Sequence, residues 1–518
     1  MNFKYIKSSA KILAFSMLTM AVSCGEEYLE DADVYQNLDT NTFYQSQNDA
    51  VLAVNATYTP LQYQGLYRRY RYLLDYMSGD LDITSGGFQL TEYPGFNFNP
   101  SSNHLIPAAW EASYVGISRA NTVLEKVPPI QFEDPDLKPR LLGEAKFLRA
   151  LYYFNLVRLY GGVPIYDRVF SGDLNDPLFQ PERNTEEEVY AFIEQDLKEA
   201  VDMLPNSYGA GEKGRATAGA AQAMLGKVYL YQQKYAESRA ALEKVINGTY
   251  GNYSLVDFIT NFDANNENNN ESVFEIQFET GVGAGFSDGD TDRTAESFWI
   301  ATALNPGRQR AFANGVPSVE VNEFFDQFPE EDGVRRFFTI ARPGDTWGSW
   351  DPIAEDPVAA GQWRDRTGER PGVPFSGVRK YTEGPFPVGF VQSPRNFRLM
   401  RYAEVLLMFA EAENEVNGPT AAAYAAVNEV RERAQVSDLP AGLSKDQFFV
   451  KIVEERRLEF TFEFQRFFDL VRWSKRSNVP AIASPEQMPG FVSGKNEVLP
   501  IPTGEIISNP NLTQNPGY

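Results

Sequence analysis

Residues 216–247 read ATAGAAQAMLGKVYLYQQKYAESRAALEKVIN, two helical stripes parted by a short break around Lys234-Tyr235. Small and apolar side chains return every three to four residues on each side of the break, which is the spacing of one helix face. The same build appears at 400–436, where Asn417-Gly418-Pro419 makes the turn. There Ala410, Ala412 and Ala425 are small enough to let two helices lie close together. Further stripes run through 47–62, 104–126, 136–160 and 444–473. Asn184-Thr185 with Glu188 reads as a capping box, opening a stripe of Val189, Phe192, Ile193, Leu197, Ala200 and Leu204 that Pro205 closes. The chain is therefore expected to be mainly α, built from helical pairs.

Within the first pair, Leu225-Gly226-Lys227-Val228-Tyr229 matches the L-G-x-x-Y element of a tetratricopeptide repeat, and Tyr235 falls on another of its aromatic positions. The helical scaffold is expected mainly over 40–247 and 400–480. The section of about 248–399 differs. It is rich in Gly, Pro and Asn, includes the polar run Asn261 to Asn270, and holds one alternating strand, Ser272 to Glu279. In that strand Phe274, Ile276 and Phe278 share one face, with Glu275, Gln277 and Glu279 on the other. Four of the six tryptophans, Trp299, Trp347, Trp350 and Trp363, also fall here, which argues against disorder. A loop-rich, ligand-binding layer on the scaffold is the expectation, with little β.

The N-terminus carries Lys4, Lys7 and Lys11 and then an apolar run, Ile12 to Val22. That run is too short for a bilayer core, which needs roughly 20 residues, and it has the layout of an export signal. Ala21-Val22-Ser23 before Cys24 suits a lipoprotein signal peptidase. Residues 1–23 are thus read as a lipoprotein signal peptide and 24–518 as a single domain, with Cys24 the site of lipidation. Cys24 is the sole cysteine, so its acylation would leave no thiol for a disulfide or a thiolate metal site. The formal charge of −23, from 47 Lys and Arg against 70 Asp and Glu, repels phosphate backbones and excludes nucleic acid as a natural partner.

Catalytic constellations are sparse. There is one histidine, His104, and neither a G-x-S-x-G elbow nor a P-loop. A pair of carboxylates at glycosidase spacing stays open on numbers alone, with 70 acids. Asp288-Gly289-Asp290-Thr291-Asp292 sets three carboxylates at alternate positions, a pattern suited to calcium. An EF-hand would continue differently, since Arg293 and Trp299 stand at its sixth and twelfth positions; a structural calcium at Asp288, Asp290 and Asp292 is a weak candidate, and no other cofactor is indicated. The tryptophans are more informative. Sugar rings pack their C–H faces on aromatic rings while neighbouring polar side chains bond the hydroxyls, and Trp347, Trp350 and Trp363 stand among Asp345, Asp351, Gln362, Arg364 and Asp365. With Trp299 they are the first ligand-binding candidates. The loop after the helix at 69–77 supplies a second set, Asp82, Phe88 and Tyr93.

Several stretches taken in order resemble the SusD/RagB family of outer-membrane nutrient-binding lipoproteins. These are Cys24-Gly25-Glu26-Glu27; Glu144-Ala145-Lys146-Phe147-Leu148-Arg149 leading to Tyr160-Gly161-Gly162-Val163-Pro164; Arg401-Tyr402-Ala403-Glu404; Glu454-Glu455-Arg456-Arg457-Leu458-Glu459-Phe460 with Arg466-Phe467-Phe468-Asp469; and Leu499-Pro500-Ile501-Pro502 with Gln514-Asn515-Pro516-Gly517-Tyr518. The resemblance implies about four tetratricopeptide-like pairs and a ligand-holding loop face. It also implies lipid anchorage at the outer surface of the cell outer membrane, and delivery of an oligosaccharide or polysaccharide to a SusC-like, TonB-dependent transporter without catalysis. Capture of oligopeptides, as some relatives perform, is the main alternative; a glycoside hydrolase is a distant one. The motifs are mostly architectural on this view. In 454–473 the like-charged pairs Glu455-Glu459 and Glu459-Glu463 sit at i,i+4 and need cations nearby, for which Arg456, Arg457 and Arg466 are the local candidates.

Overall fold

The computed structural model describes residues 43–80, 82–83, 92–101, 105–279, 319–320, 328–341, 377–378, 380–381 and 394–518. Its helices are α1 Gln47–Tyr58, α2 Leu73–Ser78, α3 Leu105–Lys126, α4 Leu137–Tyr160, α5 Glu186–Met203, α6 Ala218–Tyr231, α7 Tyr235–Ile246, α8 Gly333–Thr339, α9 Tyr402–Asn417, α10 Ala421–Arg433, α11 Lys445–Glu459, α12 Arg466–Trp473 and α13 Thr503–Ser508. The long ones pack in succession: α1 on α3, α3 on α4, α4 on α5, α5 on α6, α6 on α7, α7 on α9 and α9 on α10. Among the described residues four helical pairs result, α1/α3, α4/α5, α6/α7 and α9/α10, and the chain is a mainly α scaffold of tetratricopeptide-like build.

Local chemistry explains the pairs. Thr185 caps α5: its hydroxyl accepts from Glu188 N at 3.2 Å and its own N–H donates to Glu188 Oε2 at 2.8 Å. The glycine of the L-G-x-x-Y element is needed because α6 and α7 touch there. A Cβ on Gly226 would stand 2.6 Å from Leu242 Cγ, and the Ser238 hydroxyl donates to Gly226 O at 2.8 Å. Ala410 and Ala412 are buried where α9 meets its neighbours, but Ala425 is exposed; Ala423 and Ala426 are the buried residues of α10.

Two motifs distant in sequence meet at one end. After α4, Gly161 takes φ +73°, and Gly162 passes so close to Asn184 that a Cβ would sit 2.1 Å from its carbonyl oxygen. The C-terminal tail closes over this turn. Leu499 N donates to Leu159 O at 2.6 Å, and Asn515 Nδ2 bridges to Tyr160 O and Leu499 O at 3.0 and 2.6 Å. The tail thereby sets α13 beside the C-terminal end of the α4 pair.

Two expectations are corrected. The stripe 444–473 is not one helix: α11 ends at Glu459 and α12 starts at Arg466, with Phe462 and Phe464 both at φ +62° between them. The described strands are β1 Asp82–Ile83, β2 Ser272–Ile276, β3 Val319–Glu320, β4 Ile340–Ala341, β5 Gly377–Val378 and β6 Phe397–Arg401; the expected strand is β2, paired antiparallel with β6 across a register shift. Its alternation does not separate core from solvent. Val273, Phe274, Glu275 and Ile276 are all buried, and Glu275 is served there by Arg398, whose Nε lies 3.5 Å from Glu275 Oε1. The polar run Asn261 to Asn270 is likewise an ordered turn: Asn269 Oδ1 accepts from Glu271 N at 2.9 Å, and Asn268 Nδ2 donates to Gln277 Oε1 at 2.9 Å.

Candidate functional site

The section of 248–399 is anchored to the scaffold by buried ion pairs. Arg401, at the end of β6, binds Glu463 through Nε and Nη2 at 2.9 and 2.7 Å, Glu459 at 2.9 Å and Glu271 at 2.5 Å. Arg335 of α8 holds Glu455 at 2.5 Å and Asp332 at 2.6 Å. Lys380 donates to Glu459 O, Thr461 O and Glu463 Oε1 at 2.8, 3.0 and 2.6 Å. Three separate stretches of that section, around 332–341, 380–381 and 394–401, are thus clamped to α11 and the turn after it.

This lattice explains the broken helix. Only with the chain turned at 460–465 does Glu463 face Arg401 and Lys380 together. The cations that neutralise Glu455, Glu459 and Glu463 come from 335, 380, 401, 431 and 433, not from the local arginines. Arg456 instead pairs with Asp469 at 2.9 Å, Arg457 with Asp80 at 2.6 Å, and Arg466 donates to Ile482 O. Burial by itself would raise Glu459, yet Arg433, Arg401 and Arg335 outweigh it and hold the carboxylate well below its usual range. Burial pushes the Lys380 ammonium down to about 8 despite Glu463 beside it.

Glu267 behaves in the opposite sense. Burial pushes it up to about 7, against its hydrogen bond from Asn396 N and the charge of Arg398. Because this folded-state value lies above the unfolded value of about 4.3, its protonation favours the folded state; the stability it contributes is fully present below about pH 4.3 and is lost as pH rises through about 7. Glu267→Gln is expected to flatten the pH dependence of stability across that window. Urea midpoints of both proteins at several pH values check it, and parallel curves would refute it.

The ligand candidates are placed as follows. Trp299, Trp347, Trp350, Trp363, Phe88, the possible calcium ligands Asp288, Asp290 and Asp292, Cys24 and His104 lie outside the described residues. Asp82 lies in a two-residue strand, Asp82–Ile83 (β1), that pairs antiparallel with Val319–Glu320 (β3), with Asp82 opposite Glu320. The backbone therefore joins the loop after α2 to the 248–399 section at Val319–Glu320. Tyr93 is 0 % exposed and meets Phe98 edge-on at 5.6 Å, so its ring offers no open face. Among the described residues no group of three or more His, Cys, Asp or Glu is placed to hold a metal ion, and no helix is long and apolar enough to cross a membrane.

Clefts open on the described surface, among them a polar one and an aromatic one. One, of about 530 Å³, is polar and lined by Asn206, Tyr208, Tyr253 and Asn268 to Asn270. The other, of about 540 Å³, lies between α3, residues 164–170 and α13, and carries Trp110, Tyr114, Tyr166 and Phe170 with Glu111 and Glu505. Its rings come from stretches far apart in sequence, and Trp110 and Tyr114 read locally as part of a scaffold stripe.

Comparison with known proteins follows the same lines. The model of the SusD family matches residues 270–518, and a model described as starch-binding associating with outer membrane matches 89–230. The chain is similar to a SusD-like protein of Formosa agariphila, 28% identical over 524 residues that cover 98% of this chain and 99% of the relative. It is also similar to the starch-binding protein SusD of Bacteroides thetaiotaomicron, 26% identical over 73% of each chain. Among solved structures, a laminarin-binding SusD-like protein superposes with TM-score 0.73 at 27% identity, covering 92% of this chain and 100% of that one. A SusD superfamily protein of Parabacteroides distasonis superposes with TM-score 0.74 at 25% identity, covering 91% and 99%.

Proposed function

The chain belongs to the SusD/RagB family, and from that premise we propose that it is a non-catalytic glycan-binding lipoprotein of the outer-membrane surface. It captures an oligosaccharide or polysaccharide on the 248–399 layer and passes it to a TonB-dependent transporter. The observation that carries this reading is that similarity to SusD-like proteins runs end to end, over 98% of this chain and 99% of a relative. Proteins named for laminarin binding and for starch binding are among the matches.

Physical chemistry supports the division of labour. The arginine and lysine clamps fix 332–341, 380–381 and 394–401 to the scaffold, and a base that is already ordered loses no conformational freedom when a ligand binds above it. Trp347, Trp350, Trp363 and Trp299 supply ring faces for sugars, with Asp82 and Phe88 as further contacts. Cys24, acylated, would tether the protein, since two or more chains anchor stably where one does not.

The test uses the soluble mature protein, begun after Cys24, in affinity electrophoresis and calorimetry against laminarin, starch and a broader glycan panel, with a peptide panel alongside. Retardation by at least one polysaccharide, weakened in Trp347→Ala or Trp350→Ala, is the expected result. Binding of peptides alone would replace the glycan with an oligopeptide cargo, and release of sugar products would restore the hydrolase. Protease shaving of intact cells is expected to remove the protein; its survival would defeat the surface location.

A further inference from the structure

The groove between α3, residues 164–170 and α13 has no part in the 248–399 layer, yet it has the makings of a ligand site. Its volume of about 540 Å³ falls within the range of small-molecule pockets, roughly 300–1,000 Å³. Its rings form a graded series. Trp110 is 4% exposed and forms the floor, Tyr114 and Tyr166 are half-buried, and Phe170 at the rim is 40% exposed. Ring centroids are 5.0 Å apart for Trp110 and Tyr114, and 5.5 Å for Tyr114 and Tyr166, which meet edge-on at 82°. Phe170 stacks on Phe179 at 6.2 Å, and Phe179 is 44% exposed, so apolar surface continues out of the groove.

The rings are held before any ligand arrives. The Tyr114 hydroxyl donates to Pro164 O at 2.8 Å, and Tyr166 N donates to the Tyr153 hydroxyl at 2.7 Å. Trp110 and Glu505 line the same groove. Ligand binding therefore orders few side chains and loses little entropy.

The polar groups narrow the ligand class. Arg168 is taken up by Asp176, with two bonds of 2.8 and 2.7 Å. Arg119 donates to Ala56 O at 2.7 Å and to the Tyr63 hydroxyl at 3.4 Å. With its arginines committed and Glu111 close to Glu505, the groove disfavours an anion. Carboxylate oxygens accept from hydroxyl donors, and half-buried rings pack on C–H faces. Those two properties together describe a neutral sugar.

We propose that this groove is a second binding site for a neutral oligosaccharide, built on the helical scaffold and separate from the loop layer. The inference rests on the glycan-binding reading above. Two contacts along one polymer make the second an intramolecular event, so a polysaccharide is held more tightly than a short oligosaccharide that occupies one contact.

The test compares Phe170→Ala, Tyr166→Ala and Glu505→Gln with Trp347→Ala and the wild-type mature protein. Phe170 sits at the exposed rim, so its truncation leaves the fold intact even where Tyr166→Ala does not; thermal melts verify both. The probes are laminarin, starch, their short oligosaccharides and choline. The expected result is that Phe170→Ala weakens binding of the retarding polysaccharide about tenfold, an affinity change of the size that one good contact supplies, while Trp347→Ala retains residual polymer binding that the double variant loses. Groove variants indistinguishable from wild type, beside a Trp347→Ala that abolishes all binding, would overturn the groove and leave the glycan reading standing. Choline displacing sugar at the groove would overturn the sugar assignment, and a wild type that binds no glycan at all would defeat the underlying reading and the groove with it.

Discussion

Arg401→Met is expected to destabilise the protein by about 3–5 kcal/mol, the cost of removing one partner from a buried ion pair. The methionine fills much of the same space but leaves Glu463, Glu459 and Glu271 facing each other in an interior where Arg401 now binds all three. Both glutamates of the α11 turn are held below their usual range against the burial that would raise them. Without the guanidinium, part of that charge has to take up protons or draw in water. Chemical denaturation of the wild type and the variant at neutral pH measures the loss, and a change below about 1 kcal/mol would show that the lattice is replaceable. Adding Glu463→Gln to Arg401→Met should recover part of the loss, because the second substitution removes a charge the first one stranded. Glu459 and Glu463 set the response to acid. Their folded-state values lie below the unfolded ones, so their stabilisation is present above about pH 4 and falls away as pH drops further.

Gly65→Ala is expected to cost about 3 kcal/mol or more, at or beyond the upper end of ordinary overpacking. Gly65 lies in a wide helical turn, Gln64–Arg68, that presses on α3. A Cβ there would stand 2.1 Å from both the carbonyl carbon and the oxygen of Ala108, and 2.5 Å from Ala109 N. These are backbone atoms of a long helix and have no rotamer through which to retreat. The turn also carries Leu66 and Tyr67, both fully buried, and the Tyr67 hydroxyl donates to Asn155 Oδ1 of α4 at 2.9 Å. Separating the turn from α3 would strip that contact as well. Guanidinium unfolding of Gly65→Ala is the measurement, and a midpoint equal to that of the wild type would mean the turn yields more readily than its packing indicates.

The helices, their pairing and one cap were legible in the sequence because short-range rules govern them. A stripe at three- to four-residue spacing, a Thr185-Glu188 box and a glycine at the crossing of α6 and α7 act on neighbours a few positions away. Which residues carry charge into the core was not legible. Glu275 stood on what read as the polar face of a strand, and it is buried because β2 is covered on both sides, with Arg398 across the sheet. The stripe of 444–473 is helical in every local respect, yet it breaks at Phe462 and Phe464 to bring Glu463 against Arg401 and Lys380. The groove drew its rings from Trp110 and Tyr114, from Tyr166 and Phe170, and its carboxylate from Glu505, positions that no periodicity connects.

What the sequence determined by itself was therefore most of the long helices, their order and the kinship carried by motifs from Glu144 to Tyr518. What only the tertiary structure decided was the identity of each buried charge's partner, the turn at 460–465 and the meeting of distant rings in one groove. The physical reason is range. Helix formation is settled by hydrogen bonds and side chains within one or two turns, whereas desolvation and Coulomb attraction depend on whatever the fold brings within a few ångströms, however far apart it lies in the chain.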